Sequence, residues 1–335
     1  MLDIVLLVLG LLLVAVALTD AALTTLAAGK GGGPLTRRLA NWVWRALRLL
    51  SRGQRSALLT RAGMLVLLVT VLTWVVLLWG GWFLVFCSSE GAVLDASTSE
   101  PADLAARAYY AGFVVITLGT GDVVPGGGGW QLLSAAGAFV GLFLLTLSIT
   151  YLVSVVSAAV GRRALAGTIS LSGETGVDVV LLHAGPDGVS PQLGTLLQSL
   201  EPQILQVTQQ HLAHPVLHHF HSAGPASAAP RAFAVLDDAL LLLSAGLAPD
   251  VRPERDTLTR LWRALEHYAQ TLASGQRGRD EPPPRPSLVP LREAGIPTVS
   301  DEVFAAEAAQ HEGRRRQVLQ LVTADAWSWP TWPDG

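Results

Sequence analysis

The stretch Thr117-Leu118-Gly119-Thr120-Gly121-Asp122 decides the fold. It lies inside a segment, Asp103 to Pro125, that is too short to cross a bilayer and too apolar for a plain loop. On either side stands a run long enough to cross one. Gly63 to Phe86 carries Trp74, Trp79 and Trp82, the last two near one end as interfacial anchors would be. Gln131 to Val160 is closed by Arg162 and Arg163. A bilayer core about 30 Å thick asks for roughly 20 apolar residues in a helix, because unpaired backbone groups in lipid cost several kcal/mol each. A third run, Leu2 to Leu18, ends at Thr19 and Asp20 and continues, less apolar, to Ala28. It opens on Asp3 rather than on a basic stretch and its apolar run is too long for a secretory leader, so it reads as a further span.

Composition agrees. Half of the 335 residues are hydrophobic and only 15% are charged, too apolar for an ordinary soluble chain of this length. The apolar runs end near residue 160, and Pro, Gln, His and charged residues accumulate beyond it, so two regions with different solvents are expected. Charge sets the orientation. Lys30, Arg37, Arg38, Arg45, Arg48, Arg52, Arg55 and Arg61 lie between the first two spans without an acidic residue, which places that segment in the cytoplasm and the N-terminus outside. Glu90, Asp95, Glu100 and Asp103 make the opposite face acidic, and the region after Arg163 is then inside. The single Cys87 makes no intrachain disulfide, and the formal net charge of −3 points to no partner.

A bare cation in a membrane needs its water replaced by other oxygens. Successive backbone carbonyls facing one axis do this if the chain alternates between right- and left-handed conformations, and Gly119 and Gly121 take φ > 0 without steric cost. Thr117 adds a hydroxyl ring at the inner end. Irregular backbone at membrane depth is tolerated where it is buried in protein or lines water, as in a re-entrant loop.

The hexapeptide resembles the selectivity filter of the potassium channels, the system that general accounts of ion selectivity use as their example. Tyr109 and Tyr110, eight and seven residues before Thr117, stand where that family places an aromatic pair around the filter. Pro125 follows Asp122 at the family spacing, and Gly141 falls where many inner helices have a hinge glycine. The resemblance covers roughly residues 63 to 160. It implies an all-α membrane protein, a tetrameric pore-loop channel of outer helix, pore helix with filter, and inner helix. To this the chain adds an N-terminal transmembrane helix and a mainly helical cytoplasmic domain. The filter would be Thr117, Leu118, Gly119, Thr120 and Gly121, holding potassium at its carbonyls, with Asp122, Tyr109 and Tyr110 supporting it and its outer mouth. Thr120 replaces the usual Tyr or Phe, which relaxes the packing that sets the filter's diameter. Phe113 and Ile116 stand where some members have polar groups behind the filter, and Leu118 for Val is a mild change. One strand covers one side of an ion, so four copies with twelve spans are expected.

The expected organisation is a transmembrane helix over 1–28, a basic amphipathic segment over 29–62, the pore domain over 63–161 and a cytoplasmic regulatory or assembly domain over 162–335. The last carries a Pro-rich linker at 276–298. Leu35, Leu39, Trp42, Val43, Leu47 and Leu50 share one helical face, suited either to the cytoplasmic leaflet or to packing on the soluble domain. Gly137 and Gly141 form a GxxxG pair that serves either close packing or a hinge. Thr146, Thr150, Ser154 and Ser157 recur near four-residue spacing, facing either the conduction path or a neighbouring helix.

Beyond the pore, Thr168 to Leu182 reads as β-prone, with turns at Gly173 and Gly176, and helices follow over 193–214, 229–247, 257–275 and 303–322. His211, His214, His218, His219 and His221 cluster around Pro215. His214 and His218 would share a face as metal ligands, as pH-responsive groups or as ordinary packing. Adjacent Asp237 and Asp238 point apart on a helix and read as solvated surface. Trp327, Trp329 and Trp332 read as a tail docked on an apolar groove of its own or a neighbouring subunit. The first span lacks Arg and Lys, which speaks against voltage sensing. In the soluble region no GxGxxG follows a strand, so the nucleotide-binding regulatory domain of many prokaryotic potassium channels is not expected, and the spans hold no HExxH, GxSxG or paired aspartates, so no enzyme is expected. The expected partners are potassium or other monovalent cations, the lipid bilayer of the cell membrane and further copies of the chain, with no cofactor and no nucleic acid. A second reading is a membrane-anchored sensor or scaffold with a degenerate, non-conducting pore fold.

Overall fold

The computed structural model describes residues 1–26, 32–50, 61–119, 121–273 and 281–333. Lys30, Arg52, Arg55, Thr120 and the first part of the Pro-rich linker lie outside them. Two compact units are present. The first comprises residues 1–52, 62–156 and 213–219, the second 53–61, 157–212 and 220–335.

In the first unit, α1 (Leu2–Leu26), α2 (Pro34–Leu50) and α3 (Ala62–Cys87) pack on one another. A short helix, α4 (Leu104–Ile116), and the start of the long α5 (Gly128–Ser170) complete it. Among the described residues α1, α3 and α5 are long and apolar enough to cross a membrane. α1 and α3 meet through small residues. A Cβ on Gly10 would stand 2.6 Å from the Gly81 carbonyl oxygen, and one on Gly81 would stand 2.8 Å from Val14 Cγ2. Such close approach replaces the hydrophobic drive that lipid does not supply. Gly81→Leu is therefore expected to destabilise the folded state by about 1–3 kcal/mol, the usual cost of overpacking. Gly80→Leu, where a Cβ meets nothing within 4 Å, should leave the unfolding midpoint in detergent almost unchanged. Equal effects of the two would refute this packing account.

α2 starts where Asp20, 2% exposed on α1, accepts from the backbone N–H of Leu35 (2.8 Å) and Thr36 (3.1 Å) and from the Thr36 hydroxyl (2.5 Å). Trp74 of α3 donates its Nε1 to the same carboxylate at 2.9 Å. A carboxylate at a helix N-terminus satisfies orphan donors and meets the positive end of the dipole. Asp20 thus joins three helices rather than merely ending a span.

The second unit holds the rest of α5, then α6 (Gly176–His183), α7 (Pro191–Ala213), α8 (Ala229–Leu241), α9 (Arg255–Ala273), α10 (Val289–Glu293), α11 (Asp301–Ala309) and α12 (Glu312–Ala324). Its core is built on α8, every residue of which except Arg231 is buried. The β-prone reading of 168–182 is corrected. Residues 168–170 close α5, and α6 is started by a capping box in which Thr175 and Asp178 bond each other's backbone. That local start outweighs the β-branched Val177, Val179 and Val180, which pack into the core. The helix expected over 303–322 is broken at Gln310 and His311 between α11 and α12.

A larger correction concerns Asp237 and Asp238. Both are buried rather than solvated, at 0% and 3% exposure. Arg315 bonds Asp237 at 2.7 Å and Asp238 at 2.6 Å, and Arg314 bonds Asp237 at 2.8 Å. Trp329 donates to Asp238 at 2.9 Å, so the tryptophan tail docks on its own chain, with Trp327 and Trp332 against the same core. Burial pushes the Asp238 carboxyl up to about 7, with Arg315 opposing.

Candidate functional site

The first half of α4 is positioned by side chains. Asp103 caps its N-terminus, accepting from the Ala106 N–H at 2.7 Å. On its flank, Trp79 of α3 donates to the Ala108 carbonyl at 2.9 Å. Arg107, buried at 7% exposure, donates to the carbonyls of Ala102 (2.8 Å), Phe86 (3.0 Å), Ser89 (2.8 Å) and Glu90 (2.9 Å). It thereby supplies donors to one of the last carbonyls of α3, Phe86, and to those of the turn that follows the helix.

The helix ends in an αL cap. Thr117 has φ 60° and ψ 28°, and its N–H bonds the Phe113 and Val114 carbonyls. Gly119 follows with φ 73°. Left-handed backbone at 117 and 119 brackets Leu118 in another conformation, which is an alternation over three residues. Gly121, expected to be left-handed, is not, and Thr117 takes a left-handed position instead because it closes the helix. Thr120 lies outside the described residues. Thr117, Leu118, Gly119, Gly121 and Asp122 are all exposed in the single chain.

Beyond the motif, β2 (Val123–Pro125) pairs antiparallel with β1 (Val93–Asp95), with Leu94 opposite Val124. The Ala96 N–H bonds the Asp122 carbonyl at 2.9 Å. Asp95 accepts from Ser97 and Thr98 in the tight turn beside it, and these bonds hold its carboxyl down to about 2. The loop is thus tied down on its C-terminal side.

The two tyrosines part company. Tyr110 is buried, donates to Ser134 Oγ of α5 at 2.8 Å and meets the Phe86 ring edge-on at 5.0 Å. Tyr109 is 41% exposed, its ring 4.3 Å from that of Phe113. Gly141 is where α5 presses on the end of α4, since a Cβ there would stand 1.9 Å from the Val115 carbonyl oxygen. One on Gly137 would stand 2.7 Å from Val114 Cγ1. α5 runs through both glycines without a break. Of the polar series on α5, Thr146 and Thr150 are exposed and bond back to the carbonyls four residues earlier.

His214 and His218 line one cavity of the first unit, together with His219. His214 meets the Tyr151 ring at 6.1 Å, and burial holds its imidazole below the ordinary value. Among the described residues no group of three or more His, Cys, Asp or Glu is arranged to hold a metal ion. In the second unit His221 Nδ1 lies 2.5 Å from Asp325, which Arg162 also approaches at 3.8 Å. Arg107 and Asp20 were missed as site-builders in the sequence. The available signals were an arginine in a short apolar helix and an acid within helical reach of an apolar span.

An apolar helix hairpin around a short capped helix and an irregular loop defines a helical membrane protein with a pore-type domain. Residues 65–158 match the family model described as ion channel. Over 323 residues, 96% of this chain and 94% of the relative, the sequence is 32% identical to the uncharacterized membrane protein YdjJ of Bacillus subtilis (strain 168). The chain belongs to that family of membrane proteins with an ion-channel domain. No solved structure matches it.

Proposed function

We propose that the chain is one subunit of a homotetrameric, potassium-type cation channel of the cell membrane. Residues 117–121 form its filter, the N-terminus lies outside, and 162–335 form a cytoplasmic regulatory or assembly domain. The observation that carries this reading is the left-handed backbone at Thr117 and Gly119, placed directly after the carbonyl end of α4 and between two membrane-length helices. A helix C-terminus bears about half a negative charge, which favours a cation at the first filter residue. Four strands are needed to surround an ion. The exposed apolar side chains of α5, among them Phe139, Leu142, Leu145, Ile149 and Val153, leave a surface for neighbours and lipid. Charge orients the assembly by the excess of arginine between α1 and α3. Thr120 in place of an aromatic ring loosens the filter's packing, and potassium remains preferred because the backbone carbonyls coordinate.

The test is gradient collapse in potassium-loaded liposomes holding the purified protein. Wild type should dissipate the gradient. Gly119→Ala, which forces a side chain to φ 73° at about 1–2 kcal/mol per subunit, should reduce the flux at least tenfold. A silent wild-type protein would reject the channel and favour an anchored scaffold. Equal sodium and potassium permeability under bi-ionic conditions would reject the preference alone.

A further inference from the structure

A cavity of about 260 Å³ opens in the first unit between the end of α1, α2, Tyr151 of α5 and the turn at 214–219. It is smaller than most ligand pockets, which run to about 300–1,000 Å³. Its walls are of two kinds. Ala40, Ala213, Pro215 and Val216 supply an apolar surface, and Arg37, Asn41, Tyr151 and the imidazoles of His214, His218 and His219 supply polar groups. Among the described residues no carboxylate lines it. The nearest acid of the neighbouring helices, Asp20, is already engaged by two backbone N–H groups, the Thr36 hydroxyl and the Trp74 indole. The fixed charge among the described lining residues is therefore the Arg37 guanidinium. His214 Nδ1 is shielded from solvent and has no hydrogen-bond partner. A shielded imidazole nitrogen without a partner destabilises the fold unless something occupies the site.

We infer that this cavity is a binding site for a small monoanion with an apolar body. Arg37 pairs with the anionic group, His214 and Asn41 complete its hydrogen bonds, and the body lies along Ala40 and Val216. Two sources carry this chemistry: the headgroup of an acidic phospholipid with the start of its acyl chain, or a free short-chain carboxylate. Tyr151 belongs to α5, its ring 5.9 Å from Trp74 and 6.1 Å from His214. An occupant therefore touches the inner helix directly. That it would alter conduction rests on the channel reading; that it binds does not.

The test uses the full chain in a maltoside detergent with two probes, hexanoate and dioctanoylphosphatidylglycerol, against hexanol and dioctanoylphosphatidylcholine as uncharged and zwitterionic controls. Saturating anionic probe should raise the unfolding midpoint by about 3–5 °C. Arg37→Gln should raise the half-saturating concentration at least tenfold, and Ala40→Trp, which fills the space, should abolish the response. Should Ala40→Trp fail to fold, His214→Phe replaces it with an expected loss of several-fold. A response to hexanoate alone assigns the site to a soluble ligand, and one to phosphatidylglycerol alone assigns it to lipid. No response to either probe, an equal response to the controls, or an unchanged response in the variants overturns the site. Each readout is independent of ion flux, so failure here and failure of the channel reading are separable.

Discussion

Replacing Arg315 by methionine is expected to cost the second unit about 3–5 kcal/mol, the usual penalty when one partner of a buried ion pair is removed. Arg315 is 1% exposed, and its Nη1 is shared between Asp237 and Asp238 while its Nη2 donates to the Pro284 carbonyl at 2.8 Å. Its guanidinium also faces the Trp329 ring at 5.0 Å. Without it, two adjacent carboxylates stay buried with Arg314 as the remaining cation. Arg314 lies 3.7 Å over the Trp262 ring and bonds Asp237 rather than Asp238. Asp238 then loses the charge that opposes its desolvation and is driven further toward its protonated form. Two measurements separate this from a general effect of losing surface charge. Arg316→Met removes a half-exposed pair with Glu312, one helical turn away, and should change stability by no more than about 0.5 kcal/mol. Arg315→Met combined with Asp238→Asn should recover part of the loss, because neighbouring partners are not additive. Denaturant unfolding in detergent reads both, and an Arg315→Met midpoint equal to that of Arg316→Met would refute the buried cluster.

Why this cluster was illegible in the sequence follows from where its parts lie. Asp237 and Asp238 meet arginines 77 and 78 residues downstream, and no local pattern around an acid pair announces such partners. The membrane helices were legible because crossing lipid is a local demand, a run of roughly 20 apolar residues that each segment must meet by itself. The loop motif was legible for a similar reason, since glycine spacing is written in consecutive residues. The contact of Gly10 with Gly81 joins two helices that are each uniformly apolar, so nothing in either marks the touching face. α6 is a different case. Its signal was present in Thr175 and Asp178, a capping pair at the right spacing, but the β-branched residues behind it dominated the reading. Arg107 was counted only as a charge against the acidic outer face, because a bond to carbonyls of another helix leaves no trace in the pattern of charges.

Arg107→Met should lower stability by about 3–5 kcal/mol, from several buried carbonyls losing a donor at about 1–3 kcal/mol each, and should abolish conduction through the proposed pore. The last carbonyls of a helix have no partners within it, and at the end of α3 the Phe86 oxygen and those of Ser89 and Glu90 just beyond it converge on one guanidinium. The same group holds Ala102, just before α4 begins. Its planar fork carries five donors at fixed angles, which the compact ammonium of lysine does not reproduce. Arg107→Lys should therefore keep charge yet recover less than half of the lost stability. The consequence reaches the loop, because α4 is a single rigid helix and Thr117 is its C-cap. Freed at its start, α4 is restrained chiefly by Trp79, Tyr110 and Gly141, while β1 and β2 still hold the chain after Asp122. The motif then hangs between one fixed end and one loose end. In the proposed tetramer, four such loops around an axis would lose their common register, and flux through them would fall with it. Thermal unfolding, size-exclusion elution and liposome flux read the three effects in turn. Wild-type unfolding of Arg107→Met would show that this side chain secures nothing, and a lysine variant indistinguishable from arginine in all three would show that the charge alone, and not the bonded fork, holds this end of the domain.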